Sequence, residues 1–140
     1  MTGLWVLLGT LALAGAAGLV LRARQGRIRR APSPAALPED VRRMVDPAAS
    51  VTLVQLSTTF CAPCRQARVL LADLAERTAG LHHAELDLTE RTDLARELAV
   101  LRTPTTLAVD ARGVELLRVG GVPNRAILLE ALAPHLPGGR

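Results

Sequence analysis

The sequence predicts an α/β domain, a three-layer α/β/α sandwich with helices on both faces of a mixed sheet, preceded by one transmembrane helix. After residue 48, segments with strand and helix periodicity alternate, and the series ends in two closely spaced strands and a helix. Residues 4–21 form a run without any charge. We therefore divide the chain into a tail at 1–3, a transmembrane helix at 4–21, a basic, Pro-rich linker at 22–47, the α/β domain at 48–137 and a tail at 138–140.

The run at residues 4–21 is apolar except for Thr10. As a helix it rises about 27 Å, just enough to cross a hydrocarbon core of about 30 Å. No Lys or Arg precedes the run, which favours a retained span over a cleaved signal peptide, and Trp5 lies where an interfacial aromatic anchor is expected. A signal peptide and a buried core helix are the alternatives.

Much of the formal net charge of +4 comes from arginines directly after this run. They are Arg22, Arg24, Arg27, Arg29 and Arg30. Such a flank is typical of the cytoplasmic side, where it contacts anionic lipid headgroups. We expect a single-pass membrane protein with its domain in the cytoplasm, and an extracytoplasmic domain is the alternative. Because the arginines are juxtamembrane and aromatic residues make up 1% of the chain, we do not expect nucleic-acid binding.

The segment after the arginines predicts an extended connection. It lacks an apolar period as far as residue 37 and contains Pro32, Pro34 and Pro38. Pro38 and the two acids that follow it favour the start of a short helix that ends near residue 45.

The first half of the domain alternates between strands and helices. Residues 51–57 are apolar on both faces, as in a central strand. Residues 62–79 have an apolar helical face, and Gly80 lies at the expected C-cap. Residues 83–88 alternate as a strand does, and Thr89 is expected to be the N-cap of the next helix.

The second half of the domain predicts a hairpin and a final helix. Residues 105–109 and 114–119 read as two strands, and their short connector fits an antiparallel pair. Pro123 then opens the last helix. Its inward face is expected to contain Ile127, Leu128 and Leu132.

The chain has two cysteines, Cys61 and Cys64, so no wider disulfide framework is possible. They fall where a buried strand meets a helix, and free N–H groups and the helix dipole stabilise a thiolate there. We expect the pKa of Cys61 to fall from about 8.5 into the range of roughly 3.5 to 7.5. Pro63 is tolerated in the first helical turn and stiffens the loop. Because Cys64 lies on the same helical face, Cys61 can attack a disulfide and Cys64 can resolve the mixed disulfide.

The segment FCAPC at residues 60–64, after a buried strand, resembles the active-site loop of the thioredoxin family, usually written WCGPC. Residues 102–105, Arg-Thr-Pro-Thr, resemble the cis-proline loop of that family, and residues 119–120 add to the likeness. The resemblance covers about residues 48–136. It implies a thioredoxin-like fold, a redox-active disulfide between the two cysteines and no cofactor. It also implies protein thiols and disulfides as substrates, with an electron donor or acceptor that the sequence does not identify.

The resemblance also implies a substrate surface beside the cysteines. Pro104 is expected to be cis and to face the sulfur of Cys61, and Thr103 is expected to offer backbone groups to an extended substrate strand. A trans proline that enters an edge strand is the alternative. The expected substrate-binding residues are Phe60, Ala62, Pro63, Thr103 and Pro104.

Three positions depart from the family pattern. Phe60 replaces the usual tryptophan and keeps an apolar wall without the indole donor. Gln55 stands where the family commonly has a buried aspartate that relays protons to the resolving thiol, and Glu85 stands where a lysine is usual. We hypothesise that Glu85 accepts the proton of Cys64. The alternative is a solvated acid on the strand face.

Two other functions are considered beside redox chemistry. A CxxC pair can bind soft Cu(I) or supply half of a zinc site, but there is no second CxxC and no closely spaced His motif. His82 and His83 are interpreted as surface residues, and no metal site is expected. A redox-controlled adaptor that binds peptides is the other alternative. The favoured prediction is a membrane-tethered thiol–disulfide oxidoreductase.

Overall fold

In a computed structural model of the protein, residues 1–31 and 36–138 are described, and they form five helices and five strands. In chain order these are α1 (Thr2–Arg24), β1 (Arg27–Arg30), α2 (Glu39–Arg42), β2 (Val51–Ser57), α3 (Ala62–Arg77), β3 (Leu81–Asp87), α4 (Thr92–Glu97), β4 (Thr105–Asp110), β5 (Glu115–Gly120) and α5 (Arg125–Leu132). A 3-10 turn, Ala133–His135, follows α5. Pro32 and Pro34 of the expected linker, and residues 139–140 of the expected tail, lie outside the described residues.

The strands form one mixed sheet in the order β1-β5-β4-β2-β3. β2 and β3 are parallel and are connected through α3, whereas the pairs β2–β4, β4–β5 and β1–β5 are antiparallel. All seven residues of β2 are buried, as expected for an apolar strand that is covered on both faces. The predicted mixed sheet is confirmed, and its buried strand β2 leads directly into the cysteine loop.

Helices cover both faces of the sheet, which confirms the three-layer sandwich. On one face, Val41 of α2 and Leu94 of α4 pack against side chains such as Leu107. On the other face, Leu71 of α3 and Leu128 of α5 pack against side chains such as Ala108. Leu107 and Ala108 are consecutive in β4 and point to opposite faces because successive side chains of a strand alternate.

None of the residues of α1 is buried. The helix is long and apolar enough to cross a membrane, with a mean hydropathy of 2.2 over its most apolar window. A signal sequence near an N-terminus meets the same criterion of length and composition. The helix begins before and ends after the predicted span at residues 4–21.

The segment predicted to be an extended linker contributes a strand to the sheet. Residues 27–30 form β1 at the edge next to β5, and Ile28 packs against the core on the α3 and α5 face. Gly26 enters the strand with φ +69° and donates its N–H to the carbonyl of Gly120 at 2.8 Å. A Cβ at Gly26 would lie 2.8 Å from the carbonyl oxygen of Val122, so glycine is required there. A segment of four residues with one apolar side chain shows no strand periodicity in the sequence. It becomes a strand because it pairs with β5.

Helix α2 also packs in the sandwich, although the sequence placed it in the linker. Leu37 and Val41 are buried in the core on the α2 and α4 face, and Met44 and Val45 pack against it. The helix ends at Arg42, earlier than predicted.

The expected N-cap role of Thr89 is wrong. Its hydroxyl donates to Asp87 at 2.5 Å and accepts from the N–H of Thr59 at 2.9 Å. Helix α4 begins three residues later, at Thr92, after Arg91 at the N-cap. The hydroxyl of Thr89 is engaged in holding the loop before the cysteines and therefore does not cap the helix.

The expected inward orientation of Ile127 is also wrong. Its side chain is 53% exposed, whereas Leu128 and Leu132 are fully buried. Helix α5 is short and begins after Asn124, whose side chain accepts from the N–H of Ile127. Leu128 and Leu132 are four residues apart and therefore form the narrow stripe that faces the sheet.

Candidate active site

The two cysteines lie where the chain passes from β2 to α3. Cys61 is the N-cap residue of α3, with extended backbone angles (φ −129°, ψ 98°), and its Sγ accepts a hydrogen bond from the N–H of Cys64 at 3.2 Å. Pro63 lies in the first turn, where its missing N–H removes no helical hydrogen bond. The two sulfurs form a disulfide, with an S–S distance of 2.03 Å and Cα atoms 5.2 Å apart. The Sγ of Cys61 therefore lies at the positive end of the α3 dipole, which favours negative charge.

The two cysteines differ in accessibility. Cys61 is 8% exposed and Cys64 is 1% exposed. The backbone of Cys64 is also fixed from the interior, because the Nε2 of Gln55 donates to its carbonyl at 2.8 Å. A partner molecule therefore reaches Cys61 first.

The loop before β4 lies against Cys61. The Thr103–Pro104 peptide bond is cis. The Oγ1 of Thr103 lies 3.6 Å from the Sγ of Cys61 and 3.4 Å from the Oγ1 of Thr58. The carbonyl of Pro104 accepts from the N–H of Gly121 at 2.7 Å. Among the described residues, the backbone N–H and C=O of Thr103 make no hydrogen bond to another backbone group, so both can pair with an extended peptide.

An exposed rim surrounds the disulfide. Phe60 is 98% exposed, so its ring is not packed against the described part of the domain. Ala62 and Pro63 are also exposed.

Gln55 is fully buried and connects α3 to β3. Besides its bond to Cys64, its Oε1 lies 3.1 Å from the Nε2 of His83. Since an amide oxygen only accepts, the ring of His83 donates through Nε2. His83 is half-buried rather than a surface residue, because α3 covers its face of β3, and burial lowers its pKa while the charge of Glu85 opposes this shift. His82 is exposed, as predicted.

Glu85 is part of an ion pair with Arg68 and is not a freely solvated acid. Its Oε2 accepts from the Nε of Arg68 at 2.5 Å, and its Oε1 accepts from the Nη2 of Arg68 at 2.7 Å and from the hydroxyl of Ser57 at 2.6 Å. The hydrogen bonds from Arg68 hold the pKa of Glu85 below its ordinary value; burial opposes this shift and the Ser57 hydroxyl adds to it. The carboxylate is thus a weaker base than a free glutamate.

Glu85, Arg68 and Ser57 line a cavity of about 340 Å³ beside the disulfide, which we call the redox cavity. Its lining includes Cys61, Cys64, Ser57, Arg65, Arg68 and Glu85. Ser57 and Arg68 were not predicted as site residues from the sequence. Arg68 follows Cys64 by four residues and so shares its helix face, which was the available signal.

The loop between β2 and α3 is anchored to the end of β3. The N–H and hydroxyl of Thr59 lie 2.9 and 2.8 Å from the Oγ1 of Thr89. Thr89 in turn donates its N–H and hydroxyl to Asp87, and these bonds lower the pKa of Asp87. The position of Cys61 is therefore fixed from β3 as well as from α3.

Within residues 1–31 and 36–138, no three His, Cys, Asp or Glu side chains lie together as a group that could hold a metal ion. In this oxidation state both cysteine sulfurs are bonded to each other. The arrangement therefore fits electron exchange through sulfur.

Comparison with protein families matches residues 36–133 to the thioredoxin family. The thioredoxin of Mycobacterium tuberculosis (strain ATCC 25618 / H37Rv) is 33% identical over 86 residues, which are 61% of this chain and 73% of that protein. The bifunctional thioredoxin reductase/thioredoxin of Mycobacterium leprae (strain TN) is 31% identical over 86 residues, which are 61% of this chain and 19% of that protein. The family match includes both cysteines and the cis proline.

Solved structures show the same architecture. A mutant thioredoxin from Halobacterium salinarum NRC-1 has a TM-score of 0.56 and 24% identity, covering 64% of this chain and 77% of that one. The thioredoxin NaTrxh from Nicotiana alata has a TM-score of 0.53 and 24% identity, covering 62% of this chain and 74% of that one. At these identities the likeness concerns the fold.

Proposed function

Since this chain belongs to the thioredoxin family and is a thiol–disulfide oxidoreductase, we propose that Cys61 is its nucleophile and Cys64 its resolving cysteine. One observation carries this assignment: the more accessible sulfur is that of the α3 N-cap residue, 3.6 Å from the Oγ1 of Thr103. A thiolate at Cys61 is stabilised by the N–H of Cys64 and by the helix dipole.

The proposed reduction takes place in two exchanges. The thiolate of Cys61 attacks one sulfur of a substrate disulfide, which forms a mixed disulfide and releases the other substrate sulfur as a thiolate. Cys64, after losing its proton, attacks the Sγ of Cys61 and releases the second substrate thiolate. Two electrons pass to the substrate, and the chain ends as the Cys61–Cys64 disulfide. The same steps in reverse oxidise a substrate dithiol.

The proposed substrate surface comprises Phe60, Ala62, Pro63, Thr103 and Pro104. The exposure of the first three and the free backbone groups of Thr103 support it. An extended segment of a protein substrate pairs with Thr103 while its disulfide faces Cys61. Protein disulfides and thiols are thus the proposed partners, together with a donor or acceptor of electrons.

The nucleophile assignment is tested by the reduction of a disulfide-bonded test protein with dithiothreitol as the electron source. We expect the wild-type full chain to accelerate the reduction and the Cys61→Ser variant to leave it at the uncatalysed rate. An accelerated reaction with Cys61→Ser would remove Cys61 from the role of nucleophile.

Glu85 is proposed to accept the proton of Cys64 during resolution. Its place in the redox cavity supports the role, and the ion pair with Arg68 opposes it because the pKa of Glu85 is lowered. We expect Glu85→Gln to slow the release of substrate from the mixed disulfide at neutral pH, and Glu76→Gln, which removes an exposed acid of α3 outside the redox cavity, to leave it unchanged. If substrate is released from the mixed disulfide at the wild-type rate in Glu85→Gln, the proton of Cys64 passes to solvent and not to Glu85.

We further propose that α1 anchors the redox domain to a membrane, with residues 4–21 in the bilayer and short tails at 1–3 and 138–140. Of the expected linker at 22–47, β1 and α2 belong to the redox domain rather than lying between the anchor and a domain at 48–137. The exposure of the whole helix and the arginines after it support the anchor. The same arginines favour a cytoplasmic domain over an extracytoplasmic one.

The orientation is tested by thiol labelling of intact cells after mild reduction. We expect Cys61 to be protected from a membrane-impermeant reagent and labelled by a permeant one. Labelling by the impermeant reagent places the domain outside, and recovery of a mature chain without α1 identifies a cleaved signal sequence.

A further inference from the structure

A second cavity, of about 290 Å³, lies at the β1 edge of the sheet. It lies on the face that α2 and α4 cover, because Ile28 of β1 points to the other face and its two neighbours in the strand point here. Five arginines line it, and we call it the arginine cavity: Arg24, Arg27, Arg29, Arg102 and Arg118.

Most of this positive charge has no counter-charge within the described part of the chain. Arg118 pairs with Glu115 at 2.8 Å and donates to the carbonyl of Leu98 at 2.6 Å. The other four arginines form no salt bridge with a described carboxylate, and no Asp or Glu lines the cavity. Four of the five arginines are exposed and Arg118 is half-buried. Clustering of like charges without a partner is unfavourable, so the cavity is suited to an anion.

The strand register brings the guanidinium groups together. Arg29 lies directly opposite Arg118 in the antiparallel pair of β1 and β5. Like charges at such positions destabilise a sheet. On β5, Gly120 leaves room for Arg102, since a Cβ there would lie 3.0 Å from its Nη2. The same Nη2 donates to the carbonyl of Arg24 at 3.0 Å, which joins the end of α1 to the cavity.

We propose that the arginine cavity binds a phosphate-bearing anion, supplied either by a phospholipid headgroup or by a soluble phosphate compound. Guanidinium groups bind phosphate oxygens in pairs of parallel hydrogen bonds, and five arginines line this cavity. The volume of the cavity is close to the lower limit for small-molecule sites. Arg102 directly precedes Thr103, so a bound phosphate lies beside the loop that faces Cys61. The inference stands apart from the redox assignment, because its test involves neither cysteine.

Inorganic phosphate is the first probe, added to the full chain in an uncharged detergent at constant ionic strength with chloride as the reference. Thermal unfolding is followed by circular dichroism. Phosphate at about ten times its dissociation constant is expected to raise the unfolding midpoint by on the order of 5 °C through mass action.

Two double variants remove the same charge from different places. Arg27→Gln/Arg29→Gln removes two cavity arginines, whereas Arg22→Gln/Arg30→Gln removes one arginine of α1 and the arginine on the opposite face of β1. Both are expected to fold in chloride with midpoints close to that of the wild type. The first is expected to lose the phosphate response and the second to keep it. An equal response in both variants, or none in the wild type, overturns the proposal, since phosphate also stabilises proteins generally.

The source of the phosphate is resolved in nanodiscs of phosphatidylcholine, whose headgroup phosphate is neutralised by its own choline, with and without the anionic phosphatidylglycerol. A headgroup ligand raises the midpoint in the phosphatidylglycerol discs and removes any further response to inorganic phosphate. A soluble ligand gives the same response to inorganic phosphate in both discs. Whichever ligand raises the unfolding midpoint, the increase is expected to be lost in Arg27→Gln/Arg29→Gln and kept in Arg22→Gln/Arg30→Gln. A wild-type midpoint that responds neither to phosphatidylglycerol nor to inorganic phosphate overturns the proposal.

Discussion

The redox cavity and the arginine cavity are of similar size, about 340 and 290 Å³, but they differ in how their charges are balanced. In the redox cavity, the carboxylate of Glu85 is bound by Arg68 and Ser57. The arginine cavity is lined by five arginines, of which only Arg118 has a carboxylate partner among the described residues. Internal pairing fixes the geometry around a reacting sulfur, whereas unbalanced charge leaves a site that a ligand completes.

Removal of either sulfur tests the chemistry of the redox cavity and has the largest expected effect. Cys64→Ser is expected to accumulate a mixed disulfide with a disulfide-bonded test protein, because no thiol remains to resolve it. Cys61→Ser is expected to form none. Non-reducing electrophoresis separates the adduct, and an adduct of Cys61→Ser through Cys64 would reverse the two roles.

Removal of one polar partner from each cavity sharpens the comparison. Ser57→Ala takes a buried hydroxyl from the carboxylate of Glu85, and we expect a loss of roughly 1.5 to 3 kcal/mol of unfolding free energy. Arg29→Gln removes a cation that lies opposite another cation, and we expect a change within about 0.5 kcal/mol in chloride. Urea unfolding of the full chain measures both. Similar losses in the two variants would show that the arginine cavity is also satisfied internally.

Acidification is expected to weaken the fold first through His83. Its pKa is lowered in the folded state from the ordinary value of 6.5, so the unfolded chain binds its proton more readily. The stability from neutral His83 is fully present above pH 6.5 and is lost as the pH falls towards the folded pKa. Urea midpoints across this range should decline in the wild type and decline less in His83→Gln. If the urea midpoints of the two proteins decline equally with falling pH, His83 is not the source of the lost stability.

The ion pair of Glu85 with Arg68 is expected to affect stability in a second, more acidic pH range, and this is the smallest of the expected effects. Its pKa is lowered from 4.5, so its contribution is present above that value and is lost as the pH falls through the folded pKa. Arg68→Gln is expected to move the pKa of Glu85 upward, because Arg68 is the largest cause of the shift. Carboxyl NMR titration measures this change. Arg65→Gln is the matched control, and an equal upward shift there would contradict the assignment.

The sequence was sufficient for the parts of the fold that depend on local pattern. The apolar run of β2 predicted a strand covered on both faces, and all seven residues are buried. The boundary between this apolar strand and the amphipathic segment after it predicted the place of the cysteines at the start of α3. The cis bond at Pro104 followed from the resemblance to the thioredoxin family rather than from composition.

The parts that were missed depend on partners distant in sequence. β1 has one apolar residue, Ile28, and exists because β5 offers an edge. Thr89 has the composition of an N-cap, but its hydroxyl is engaged by Thr59 and Asp87. The position of Glu85 was identified, whereas its pairing with Arg68 depends on how α3 packs on β3.

The most direct test of the redox assignment is the titration of Cys61 in the reduced full chain. Alkylation by iodoacetamide is measured as a function of pH, and mass spectrometry assigns the modified cysteine. We expect modification at Cys61, with a midpoint below about 8.5, while Cys64 stays unmodified. A midpoint at the value of a free cysteine, or earlier modification of Cys64, would contradict a thiolate held at the N-terminus of α3.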